Sequence, residues 1–192
     1  MLQQVTTTSL QMNSIKEFVP TLDFDKQLQI MEVNPADGFI NFSLFVGVGL
    51  VWNWESRLKL SFEEWQQYLT KTKLKTYLAF KDKTLVGYYE LEIQDDNNVE
   101  IKFFGLLPSQ IGKKLGGHLL SNAINTAWQL GAKRVWVHTC NLDHAGALKN
   151  YQARGFLPYK TLTQEEDIPQ KEELYQLIKN YLSGYVKFYE NI

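Results

Sequence analysis

Between residues 76 and 106 apolar and polar positions alternate; between 115 and 131 apolar positions fall at helical spacing; from 134 the alternation returns. Residues 76–81 and 85–93 read as strands joined by a hairpin turn at Asp82-Lys83. In the second, Leu85, Gly87, Tyr89, Leu91 and Ile93 take one face and Val86, Tyr88, Glu90 and Glu92 the other. A polar turn, Asp95-Asp96-Asn97-Asn98, leads into a strand over 99–106, so an antiparallel meander is expected. Leu115, Leu119, Ala123, Ile124 and Ala127 then share one helix face, with Gly131 placed to end it. Residues 134–140 predict a strand. Asp143 is the predicted cap of a helix running to Arg154 and closed by Gly155, and 156–162 a further strand.

The flanks carry weaker periodicity. Residues 1–13, rich in Gln, Thr and Ser, predict a loose N-terminal arm, and 27–33 a first strand. Asn34-Pro35 suits a helix start. The most apolar run, 39–54, is interrupted by Asn41, Ser43 and Asn53 and falls short of the about 20 apolar residues that a membrane span needs. It reads as a buried helix leading into a loop. Ser61 and Glu64 form a capping box, with Leu60 placed to staple onto Trp65, for a helix reaching about Thr70. Pro169 opens a helix with Leu174, Leu177, Ile178, Tyr181 and Leu182 on one face, Gly184 is expected to stop it, and 185–189 to add an edge strand. A meander followed by strand–helix–strand–helix–strand predicts a mixed α/β (α+β type) fold. Its sheet is mostly antiparallel with helices on both faces. One domain is expected over 1–192, with 168–192 as its C-terminal helix and tail.

Composition narrows the class. The chain has 192 residues, 44% hydrophobic and 21% charged, which fits a globular protein. A formal net charge of -1 argues against a general nucleic-acid or membrane-surface binder. Cys140 is the single cysteine, so no disulfide forms within the chain. Without a basic start followed by an apolar block, a soluble cytoplasmic protein is expected. His138, Cys140 and His144 lack the paired spacing of a zinc site, so no metal is expected.

The stretch Ile111-Gly112-Lys113-Lys114-Leu115-Gly116-Gly117-His118-Leu119-Leu120 carries the candidate chemistry. Glycines at a helix start let backbone N–H groups approach a phosphate, and lysines add charge. It is not a P-loop, because Leu107 and Lys114 stand where that motif needs Gly and Ser or Thr. The spacing of Gly112, Gly116 and Gly117 also fails the dinucleotide fingerprint.

The chain resembles the GNAT N-acetyltransferase superfamily, whose signature is Gln/Arg-x-x-Gly-x-Gly/Ala. The register falls on Ile111, Lys114 and Gly116, of which Gly116 fits. Gly116-Gly117-His118-Leu119-Leu120 resembles the family's Gly-x-x-Leu-Leu helix opening, and Leu106-Leu107-Pro108 the end of its fourth strand. The run from Ala147 through Tyr151 to Gly155-Phe156 resembles its A-x-x-x-Y-x-x-x-G-F ending. The resemblance covers about residues 90–156. It implies acetyl transfer from acetyl-CoA to a primary amine of a small molecule or peptide, by direct attack in a ternary complex. A non-catalytic CoA-binding sensor on the same fold is the alternative.

The implied cofactor contacts are Leu106, Leu107, Ile111, Gly112, Lys113, Lys114, Leu115, Gly116, Gly117, Asn141, His144, Ala147 and Tyr151. Tyr151 is the implied general acid, Glu100 the base with Glu90 as its rival, and His138 a proton relay. Trp54 and Arg57, beside Trp52, would wall the acceptor site, where Arg57 suits an acidic group on the substrate and Glu90 a cationic one. Plain packing roles remain open for Tyr151, His138 and the Trp52–Arg57 region, and for Glu100 that of an exposed carboxylate on an alternating strand beside Lys102. A homodimer is compatible with folds of this kind.

Overall fold

The computed structural model describes residues 1–33, 37–71 and 73–190, and the predicted helix start at Asn34-Pro35 lies outside them. In chain order the elements are β1 (Leu2–Met12), α1 (Phe24–Gln27), β2 (Gln29–Val33), α2 (Gly38–Gly49), α3 (Phe62–Lys71), β3 (Leu74–Lys81), β4 (Thr84–Ile93), β5 (Asn98–Leu106), α4 (Gly116–Gln129), β6 (Arg134–Cys140), α5 (Ala147–Ala153), β7 (Leu157–Asp167) and α6 (Lys171–Glu190). Local chemistry accounts for several boundaries. Ser61 and Glu64 exchange backbone-to-side-chain bonds of 2.8 and 3.2 Å at the start of α3. Asp82 and Lys83 both have positive φ, 49° and 65°, the turn whose twist suits a two-residue hairpin. Gly131 ends α4 with φ 84°.

The strands form one sheet in the order β2-β3-β4-β5-β6-β1-β7. All pairings are antiparallel except β5 with β6. The meander β3–β5 is as the alternation predicts, and β2 adds to its outer side along β3. Alternate side chains of β4 show how helices cover both faces. The Tyr89 hydroxyl meets Thr126 of α4 at 3.0 Å, while the next residue, Glu90, accepts from Asn41 of α2 at 2.8 Å. Helices α3 and α6 join α2, through Trp65, Leu174 and Tyr181 packed on Phe42 and Phe45.

Four expectations are corrected. Residues 1–13 are not a loose arm: β1 lies inside the sheet between β6 and β7. Its polar residues hide an anchoring pattern, Val5, Leu10 and Met12, all buried. Its many threonines are also good strand formers. Gly184 does not stop the last helix, and the predicted tail strand 185–189 is helical. A Cβ at Gly184 would sit 3.3 Å from the Phe62 Cβ, so this glycine serves the close approach of α6 to α3. Asp143 does not cap α5, whose cap position is Gly146 without a side-chain bond.

The parallel pairing of β5 with β6 positions the site. It holds only from Asn98 to Glu100 against Arg134 to Trp136. Beyond that, β5 stays with β4 and β6 stays with β1, so the sheet parts. On β5, Ile101 lies opposite Leu91 and Phe103 opposite Glu90, which leaves Lys102 as an extra residue just past the divergence. Such a bulge bends and twists its strand.

Candidate active site

The parting strands open a cleft of about 620 Å³. Its walls are Ile101 to Leu106 of β5 and Val137, His138 and Cys140 of β6. Past Glu100, β5 has a neighbour on one side only, so the N–H and C=O groups on its other edge face the opening. A strand edge of that kind binds an extended, amide-bearing chain. The start of α4 contributes Leu115, Gly116 and Gly117, preceded by Ile111, Gly112 and Lys114. No side chain caps α4. Its first N–H groups are therefore free to meet an anion. Gly112 and Lys114 have φ of 86° and 60°. The second value shows why glycine is favoured at that register and why a lysine there is held in a costly conformation.

Tyr151 from α5 lines the cleft at 5% exposure, its ring against Phe104 and Phe156. Burial, and then the charge of Asp143, hold its phenol well above the ordinary value. The phenol therefore stays protonated at neutral pH. Glu100 lies under the point of divergence, 1% exposed. Its carboxylate meets Gln94 Nε2 at 2.9 Å, Lys102 Nζ at 3.0 Å and His138 Nδ1 at 3.2 Å. Burial alone would raise its pKa, but His138 and Lys102 together outweigh burial and hold it below the ordinary value. Glu100 is thus an ionised carboxylate behind His138, and of the two it is His138 that reaches the cleft. Burial pushes the Cys140 thiol up, away from the reactive thiolate.

A family model for the acetyltransferase (GNAT) family matches residues 44–156, more than half of the chain. The chain belongs to the GNAT acetyltransferase family. Proteins from Mycobacterium tuberculosis and Mycobacterium bovis, each named an uncharacterised N-acetyltransferase, are 33% identical over 97 residues. That match covers 50% of this chain and 62% of theirs, so less than two thirds of each relative. Among solved structures, a GCN5-related N-acetyltransferase from Sphaerobacter thermophilus superposes with TM-score 0.63 at 13% identity, over 86% of this chain and 52% of that one. An aminoglycoside acetyltransferase from an uncultured soil metagenomic sample gives 0.54 at 17% identity, over 69% of this chain and 90% of that one. The structural likenesses speak for the GNAT fold alone.

Within this GNAT cleft, Leu106, Ile111, Gly112, Lys114, Leu115, Gly116, Gly117, His144, Ala147 and Tyr151 are lining residues. Leu107, Lys113 and Asn141 are not. Leu107 packs towards Leu44, Val48 and Tyr88; Lys113 bonds Gln110 at 3.0 Å; Asn141 ties to Thr6 and Gln4 of β1. Trp54 lines the cleft, but Arg57 and Glu90 do not. They form a buried ion pair of 2.7 Å, at 4% and 0% exposure, with Asn41 beside both. Arg57 therefore has no free charge for an acidic substrate group, and Glu90 has no path to an amine proton.

Sequence reasoning missed the role of Asp143. Its carboxylate accepts from Thr139 Oγ1 at 2.7 Å, from the Cys140 N–H at 3.1 Å and from Trp54 Nε1 at 3.3 Å. It thereby fastens the loop after α2 to the loop after β6, where Trp52 also meets the His144 ring. Asn150, which donates to the Gly116 carbonyl at 3.3 Å, was visible only as a position inside the Ala147–Tyr151 motif. Thr7 and Glu166 reach the cleft from β1 and β7, a long-range placement with no local signal. Among the described residues, no group of three or more His, Cys, Asp or Glu is arranged to hold a metal ion, and no helix is long and apolar enough to cross a membrane.

Proposed function

We propose that the protein is an acetyl-CoA-dependent N-acetyltransferase acting on a primary amine of a small molecule or peptide. One observation carries this reading: the unpaired edge of β5 and the uncapped start of α4 border the same cleft as His138 and Tyr151. The strand edge suits the amides of a pantetheine arm, and the α4 start with Lys114 suits its pyrophosphate. Acetyl-CoA supplies a thioester carbonyl for the amine to attack.

The chain's own residues account for the protons. Glu100 holds His138 through Nδ1, which leaves Nε2 to take a proton from the attacking amine. As the C–S bond breaks, the electron pair goes to sulfur, and the Tyr151 hydroxyl supplies the proton that makes the free thiol. Trp52 and Trp54 form an apolar wall for the acceptor.

A CoA-binding module without turnover is the second reading, favoured by Ile111 and Lys114 at signature positions. Calorimetric titration with acetyl-CoA, run beside thiol release over a panel of amines, separates the two. Binding with thiol release on at least one amine supports the enzyme. Tight binding with no release on any amine supports the module, and no binding removes both.

A further inference from the structure

Glu100 meets its neighbours through different oxygens. Its Oε1 faces His138 Nδ1 at 3.2 Å. Its Oε2 accepts from Gln94 Nε2 at 2.9 Å and from Lys102 Nζ at 3.0 Å. The Gln94 amide is fixed in orientation. Its oxygen accepts from Trp136 Nε1 at 2.9 Å, and an indole nitrogen only donates, so the amide nitrogen is committed to Glu100. Lys102, the extra residue of the bulge, also reaches Glu92 at 3.3 Å. Glu92 and Glu100 stand directly opposite on β4 and β5, a like-charge pairing that a shared cation relieves. Desolvation penalises the Lys102 ammonium, but the charge and hydrogen bond of Glu100, and then those of Glu92, outweigh it and hold its pKa above the ordinary value. Lys102 therefore stays charged at neutral pH.

A carboxylate beside an imidazole favours the protonated ring, and a cation on the same carboxylate opposes that pull. Other charges surround the same opening. On β6, Arg134 lies over the Trp136 and Tyr159 rings at 5.6 and 4.9 Å. On β7, Lys160 stands across Ser9 of β1, two strands from His138, and Glu166 accepts from Gln164 at 2.8 Å. From the loops, Asp143 is bound by Thr139, Cys140 and Trp54, and Glu55 is paired with Lys59 at 3.0 Å. Among the described residues, Lys102 is the one cation besides His138 in contact with Glu100.

We propose that Lys102 is a positioning residue that governs the protonation of His138: by drawing the Glu100 charge onto Oε2 it weakens the carboxylate's hold on a proton at the ring, which keeps Nε2 open to the proton of the attacking amine. The use of that proton rests on the acetyl-transfer reading, whereas the coupling of Lys102 to His138 rests on the geometry alone.

Nuclear magnetic resonance of the histidine Cε1–H groups, followed from about pH 5 to about pH 9 without CoA or amine, reads the coupling directly. The chain has three histidines, and His138→Gln identifies the His138 signal. Lys102→Met keeps an apolar stem and removes the charge, and should raise the titration midpoint of His138 by about one pH unit. Lys102→Arg restores a cation and should bring the midpoint back to within about 0.3 pH units of native. The dispersion of the same spectra shows that each variant is folded. With one amine as acceptor, the acid limb of kcat/KM should move up with the midpoint in Lys102→Met, a shift that a purely structural role would not produce. A midpoint unchanged in Lys102→Met, or one as high in Lys102→Arg as in Lys102→Met, would overturn the proposal. An acid limb that stays in place while the midpoint moves would overturn the role of Lys102 in the reaction. A raised midpoint in a chain that acetylates no amine would uphold the coupling and count against the acetyl-transfer reading instead.

Discussion

Tyr151 keeps its proton at neutral pH because burial, and then the Asp143 carboxylate, both disfavour the phenolate. Its ring is packed between Phe104 and Phe156, so Phe at this position preserves the contacts and removes only the hydroxyl. Tyr151→Phe should lower kcat by about 10²-fold or more, the usual scale of a lost general acid. Acetyl-CoA affinity by calorimetry should stay near native. Unchanged turnover would take Tyr151 out of the reaction.

Glu100 makes a second residue-scale prediction, through stability. Its folded-state pKa is depressed from the ordinary 4.5: burial raises it, but the hydrogen bond from His138 and the charge of Lys102 together outweigh burial. The unfolded chain then holds more protons in the window just below 4.5, so stability rises with pH through it. Glu100→Gln cannot pair with Lys102, and denaturant unfolding should find it less stable than native at pH 7. The gap should close as pH falls through that window. A gap that persists at low pH would mean that the substitution acts through packing rather than charge.

At the scale of elements, the chain turns from α5 to β7 at Gly155, with φ 99°. A Cβ there would collide with the Glu17 carbonyl oxygen. Gly155→Ala combines that clash with left-handed backbone, and should cost about 2 kcal/mol or more in urea unfolding. A loss below about 0.5 kcal/mol would show that the 15–17 turn yields easily. Elements with a strong local signal were legible in the sequence: the β3–β4 hairpin from Asp82-Lys83, α3 from its capping box, α4 from five apolar positions on one face. What failed was set by distant partners. Nothing near residues 2–12 announces that β6 and β7 flank them. Gly184 reads as a helix stop until Phe62 is seen beneath it. The cleft's glycine loop and Tyr151 were legible for a similar reason, because each sits at an element start or in a short motif. The pairing of Arg57 with Glu90 joins residues 33 positions apart and leaves no periodic trace.

That pairing acts on the whole molecule. Asn41 on α2, Arg57 in the following loop, Trp65 on α3, Thr76 on β3 and Glu90 on β4 form one buried polar network beneath the loop that carries Trp52 and Trp54. The Arg57 guanidinium also lies 4.6 Å from the Tyr68 ring centre and 4.5 Å from that of Phe103, itself a cleft residue. Desolvation penalises the guanidinium, yet the Glu90 charge more than compensates, and its pKa is raised. Removing one partner strands the other charge out of water. Arg57→Met should therefore cost about 3–5 kcal/mol in denaturant unfolding. Replacing both, as Arg57→Met/Glu90→Leu, should recover most of that loss, because apolar pairs of similar volume often match or exceed a buried ion pair. Asn41 would still bond Thr76 at 3.2 Å and Trp65 at 2.9 Å, so the double variant leaves its amide satisfied. If the double variant is stable but its KM for an amine rises while acetyl-CoA binding holds, the pair is kept for aiming the Trp52–Trp54 wall. If it is as unstable as Arg57→Met, the network is a folding requirement of the α2–α3 layer on the sheet.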